Sequence, residues 1–366
     1  MKTMKIITTL CWVVTALAIA GLAVWFLTGT VFGLRISGKN DGSPFGLNFS
    51  AGDWGVLSGS YSLDGSYKVN ASGLDTIDIN WLSGGITVAP HNGADIQINE
   101  YARRELTSAE KVSFDTSGSV LTIEYCEHSM NINMPSKRLE VLIPQELCER
   151  LAGFVIDSTS GSIYVDNLFA DSFKIKSVSG SVNITGIAAK SFDVRSTSGS
   201  ISIEDTHTET ANIHSTSGSV DVSSSEAAAL DCKTTSGRIN IDGSFGSANL
   251  DSTSGRISVE NDAADSSIDA KTTSGSITIT GAYSSAQAKS GSGSVKISSA
   301  IIPSKLSVQT TSGSITVEVP DNETIEVYHS TTSGRFSSEV PILMQGRGAQ
   351  FELSSTSGSI RITAFD

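Results

Sequence analysis

Six side chains able to hold an anion recur along this chain at nearly one spacing. Lys176, Arg195, His214, Lys233, Lys271 and Lys289 each stand four residues before a glycine, in a row interrupted by Asp251. Two residues upstream of successive row positions sit Asp193, Asn212, Asp231, Asn249 and Asp269. Two parallel rows of opposite character on one face have two readings. One is mutual pairing, which keeps stacked like charges from repelling. The other is a striped interaction surface for a charged polymer such as a cell-wall polysaccharide or teichoic acid.

Other groups carry less chemistry. Asp166, Glu204, Asp242, Glu260 and Glu318 each follow a strand. They lack the Gly-Gly-x-Gly-x-Asp pattern of calcium-binding coils and read as solvated charge, so neither a metal nor another cofactor is expected. His91, His128, His207, His214 and His329 occupy unlike positions, none with a partner at metal-ligand spacing. Serines recur at every unit, so none stands out as a nucleophile. The expectation is a protein that is not an enzyme. A polysaccharide-acting enzyme, with two carboxylates from neighbouring units, is the less favoured reading.

The element that must position these residues is a repeated phrase, Ser/Thr-Ser-Gly followed by an alternating apolar strand. Its glycines are Gly161, Gly180, Gly199, Gly218, Gly237, Gly255, Gly275, Gly293, Gly313, Gly334 and Gly358, with gaps of 19, 19, 19, 19, 18, 20, 18, 20, 21 and 24 residues. A period this regular means one unit stacked on copies of itself. Around Gly199, Phe192, Val194 and Ser196 alternate with polar residues, and Ile201 and Ile203 do so after it. Period-2 alternation predicts two β-strands with one buried face, joined by a tight corner at which glycine tolerates positive φ. The fold class is therefore all-β: a parallel β-solenoid of about 19-residue coils with two strands each. An antiparallel sandwich or barrel is the alternative, but it requires no identical corner in every unit.

Residues 71–150 read as irregular first coils forming a cap, and 151–366 as the regular repeats. Ile77/Ile79 with Ile86/Val88, and Val112/Phe114 with Leu121/Ile123, are degenerate units. The last strand, Ile360–Ile362, lies four residues from the end without a cap of its own: either Ala364-Phe365-Asp366 folds over it or another chain does, by end-to-end self-association through that edge.

Upstream, residues 1–35 carry no charge between Lys5 and Arg35. Ile6 to Leu27 is long enough for one transmembrane helix, at about 1.5 Å per residue. It reads as an uncleaved single-pass membrane anchor with the repeats outside the cytoplasm; a cleaved signal peptide is the competing reading. Residues 36–70 are Gly/Ser-rich and read as a linker. The four cysteines, Cys11, Cys126, Cys148 and Cys232, do not make a disulfide framework. Cys126 and Cys148 could pair if exported, though unpaired thiols are favoured. The net charge of −13, from 25 Lys+Arg against 38 Asp+Glu, argues against a nucleic-acid partner, which requires a basic face.

From Ile77 to Asp366 the irregular first rungs, the strand ending in Ile143-Pro144 and the run of Ser-Gly-Ser-Ile/Val coils resemble the bacterial "putative adhesin" β-strand-repeat family. That domain of unknown function is often carried behind one membrane-spanning helix. The resemblance implies an adhesin-like module of the cell envelope, with a cell-wall polymer or another envelope protein as partner. Similarity to envelope-stress-associated membrane proteins of Gram-positive bacteria implies, as an alternative, a regulatory or sensory protein acting through a protein partner. No catalytic residues come with it.

Overall fold

The computed structural model describes residues 61–127, 135–321, 324–343 and 349–364. The apolar segment and most of the linker lie outside the described residues. Among those described, no helix is long and apolar enough to cross a membrane.

The period-19 pattern forms strands that pair in parallel with the next unit. Phe154, Phe173 and Phe192 stand in register, as do Ile163, Val182 and Ile201. This gives two ladders, one of strands before the corner and one of strands after it. Rungs lie about 4.8 Å apart. The inward residues are almost fully buried, from Ile77 at one end to Ile362 at the other. The Phe154, Phe173 and Phe192 rings stack with centroids 5.2 and 5.1 Å apart. No coil could cover its own apolar face; its neighbours do so.

The expected role of the corner glycines needs correction. Only Gly161 (φ 125°) and Gly180 (φ 117°) have the backbone that disfavours side chains. The others are required by close stacking. A Cβ on Gly218 would overlap the carbonyl of Gly199, and one on Gly237 that of Gly218, and so on along the stack. Positive φ belongs instead to a second corner, six residues after the first. There Asn167, Gly186, Asp205, Ser224, Gly243 and Gly281 take φ of 51°, 66°, 51°, 51°, 158° and 120°. The non-glycine residues there are short and polar, able to satisfy local backbone groups in that conformation. Beyond this corner the coils pair again over a short third stretch. Leu168–Ala170 lies beside Ile187–Ala189, then His207–Thr208, Glu226–Ala227 and Ser244–Phe245. The early coils therefore have three paired stretches rather than two.

Both ends differ from the expectation. At the first, Ser62–Asn70, from the end of the expected linker, is a strand antiparallel to Asp95–Ala102. That strand runs antiparallel to Lys137–Pro144, and Ser113–Ser117 and Val120–Glu124 form an antiparallel hairpin. These irregular units are not parallel coils throughout, because they close the ladder instead of extending it. A buried lysine ties them together. Lys137 Nζ donates to Glu100 Oε1 (2.6 Å), the Glu110 carbonyl (2.6 Å) and the Tyr125 carbonyl, over the Tyr125 ring. Burial pushes its ammonium below the ordinary lysine range, and Glu100 opposes that shift.

At the other end the last two coils exchange places. Ala349–Ser355 pairs with Lys305–Thr310 on one side and Ile325–Thr331 on the other. Ile360–Ala364 likewise lies between Ile315–Val319 and Phe336–Ser338. The strand expected to lack a cap of its own is thus interior, covered by the preceding coil. End-to-end association through the Ile360–Ile362 edge has no free edge there.

Candidate ligand-binding groove

The strand before each corner ends on a hydroxyl three residues upstream of the glycine. Ser196, Ser215, Thr234 and Ser252 accept a hydrogen bond from their own corner glycine N–H at 2.8–3.0 Å. Thr272, Ser290, Thr310 and Ser355 donate to the corner glycine carbonyl of the neighbouring coil at 2.8–3.1 Å. In these eight coils the hydroxyl is therefore a structural clamp. It also fixes the residues on either side of it to point outward, four and two positions before the glycine.

Those outward residues form two walls of an open groove of about 970 Å³. One wall is the predicted row: Lys176 lies in register with Arg195, Arg195 with His214, and His214 with Lys233. The other is a threonine row, Thr159, Thr197, Thr216, Thr235 and Thr253, with Val178 in line. Acidic residues bound the basic run, with Asp157 beside Lys176 and Asp251 beside Lys233. The far end is lined by Trp81, Leu82, Glu124, Tyr125 and Glu127. Lys271 and Lys289 continue the row beyond Asp251 but lie outside this groove.

The basic side chains of the groove, and Lys271 beyond it, each have an acidic neighbour. Arg195 Nε donates to Asp193 Oδ1 (2.8 Å), Lys233 Nζ to Asp231 Oδ2 (2.7 Å), and Lys271 Nζ to Asp269 Oδ2 (2.6 Å). Lys176 and His214 are more loosely held, 3.7 Å from Asp157 and 4.0 Å from Asp231. The hydrogen bond to Asp193 raises the Arg195 guanidinium further above its ordinary range. Pairs this exposed contribute about 0–1 kcal/mol each. They aim the side chains without occupying them: Arg195 and Lys233 remain 53% and 43% exposed.

Among the described residues no group of three His, Cys, Asp or Glu is placed to hold a metal ion. Among the described residues Cys126, Cys148 and Cys232 are buried and free, so Cys126 and Cys148 do not pair with each other; burial pushes the Cys148 thiol up to about 12. The acidic set includes Asp242 and Glu260 side by side in register, with Thr280 next. The sequence reading missed the aromatic-lined end of the groove. Its only signal was Asn80-Trp81-Leu82, at the position where regular coils carry the outward charge and the inward hydroxyl.

The fold and the groove together define a β-repeat protein whose outward rows are set by coil stacking. The chain belongs to the Toastrack DUF4097 family, whose model matches residues 74–280 and 244–363. Similar solved structures include a putative adhesin from Bacteroides fragilis, 12% identical, covering 83% of this chain and 98% of that one, with a TM-score of 0.34. A putative adhesin from Parabacteroides distasonis gives the same identity, coverage and TM-score. A putative cell adhesion protein from Clostridium sporogenes is 8% identical, covering 84% of this chain and all of that one, with a TM-score of 0.20. No curated protein matches the chain.

Proposed function

We propose that this protein is a non-enzymatic, adhesin-like module of the cell envelope. In this reading the β-solenoid sits outside the cytoplasm behind a single membrane-spanning segment, and the groove is its contact surface. The observation that carries the reading is the groove itself. Four successive coils present Lys176, Arg195, His214 and Lys233 in one line opposite a line of threonine hydroxyls. A surface of this kind suits an extended ligand, since no single coil holds enough of it to bind alone. The apolar run Ile6–Leu27 supports attachment to a membrane. The test uses the full chain in its own cells. External protease should remove the repeats from intact cells, and the chain extracted in mild detergent should sediment with isolated envelope fragments. Full protection of the repeats, or no co-sedimentation, contradicts the proposal.

A further inference from the structure

We infer that the groove takes a linear, polyhydroxylated, anionic polymer lying along the stack, a deepening that rests on the reading just given. Three observations define this ligand. First, the basic run spans four coils, or about 14 Å at about 4.8 Å per rung, and Lys176, Arg195 and Lys233, with the His214 ring between them, keep exposed donors beyond their acidic neighbours. Charge-assisted hydrogen bonds from such donors favour carboxylate or phosphate oxygens. Second, the opposite wall presents Thr197, Thr216, Thr235 and Thr253, and each hydroxyl can both donate and accept, as a polyol requires. Third, the main chain under the groove is already paired. Thr197 and Ser198 N–H donate to the Ser177 and Val178 carbonyls, and Thr216 and Ser217 N–H to those of Ser196 and Thr197. An extended peptide therefore cannot add by strand pairing, which is the usual way a sheet captures one.

The flanking acids set the charge density. Glu124 and Asp157 at one end and Asp251 at the other repel a densely charged chain that overruns the basic run. A chain with one charge per sugar or per polyol unit places a few charges over Lys176–Lys233. Carboxylate and phosphodiester polymers share this chemistry, and the probes distinguish them.

The test is equilibrium binding of the full chain in mild detergent to four immobilised probes. These are a linear polyuronate, a poly(glycerol phosphate), an uncharged linear glucan and poly-glutamate. The inference expects capture by the polyuronate or the poly(glycerol phosphate), the tighter of the two naming the source of the anion. It expects no capture by the glucan or poly-glutamate, and weakening as ionic strength rises. Arg195→Gln with Lys233→Gln should weaken capture about tenfold or more, the loss of charge-assisted contacts. Thr197→Val with Thr216→Val should also weaken it, while Lys271→Gln with Lys289→Gln leaves it unchanged. All three pairs lie on the surface, and an unshifted thermal midpoint shows that the stack is intact. Equal capture by the glucan, preference for poly-glutamate, or indifference to Arg195→Gln with Lys233→Gln overturns the inference. Capture by none of the probes, from a chain that still sediments with envelope fragments, overturns the ligand class and leaves the envelope reading standing. Failure of both sinks both.

Discussion

Gly218→Ala separates two explanations of the repeated glycine. At this corner φ lies outside the left-handed region, so backbone freedom alone makes alanine harmless. Reduced entropy of the unfolded chain would then stabilise the variant by about 0.4–1 kcal/mol. The stacking explanation predicts the opposite. A Cβ would lie 2.5 Å from the Gly199 carbonyl carbon and 2.9 Å from Ser200 N, where non-bonded carbon atoms prefer about 3.5–4.0 Å. The coils must separate locally by roughly 1 Å, yet both sides of the rung are held by paired strands. Overpacking against rigid neighbours costs about 1–3 kcal/mol or more. Weakened coupling between coils is also expected to broaden unfolding, because stability in repeat proteins resides partly in the interfaces. Urea unfolding followed by far-ultraviolet circular dichroism measures both. A lower midpoint with a shallower transition is expected. A midpoint equal to or above that of the wild type would refute the stacking argument.

Three further outcomes follow from buried polar groups and the cap. Ser215→Ala strips the Gly218 N–H of its acceptor and should cost about 1–3 kcal/mol; Ser177, whose buried hydroxyl has no partner among the described residues, should tolerate alanine, and the two urea midpoints make the comparison. Lys137→Met leaves Glu100 buried without its partner and should cost about 3–5 kcal/mol, much of it recovered when Glu100→Gln is added, as read by thermal melts of both variants. Glu110 is held at about 2, below the ordinary 4.5, chiefly by its hydrogen bond from Arg104 and then by those from Thr107. A depressed carboxyl adds stability above its unfolded value, and that stability is lost as pH falls from about 4.5 toward about 2. Glu110→Gln should flatten the pH dependence of unfolding in that window, as measured by midpoints at stepped pH.

The coil period, the inward ladders and the basic row were legible in the sequence because each repeats, and stacking turns repetition into register. Phe192, Val194 and Ser196 could be placed inward from alternation alone. Three features were not legible, each for a physical reason. Glycine has two uses, and spacing does not separate a φ requirement from a close approach. The φ requirement fell instead on Asn167, Asp205 and Ser224, which read as ordinary loop residues. The exchange of the last two coils leaves no trace in either coil, since both present compatible inward residues, Val327 and Phe351 among them. The first coils turn antiparallel because an end must be closed, and closure breaks the period that made the rest readable. Lys137, ordinary in sequence, became the buried tie of that cap.

The central claim is that the Lys176–Lys233 row in its groove is the working surface. It is tested most directly by binding of the full chain to isolated envelope fragments, comparing wild type with Arg195→Gln/Lys233→Gln and with Lys271→Gln/Lys289→Gln. The account predicts that only the first pair loses binding, at an unchanged thermal midpoint. Equal binding by all three proteins would contradict it.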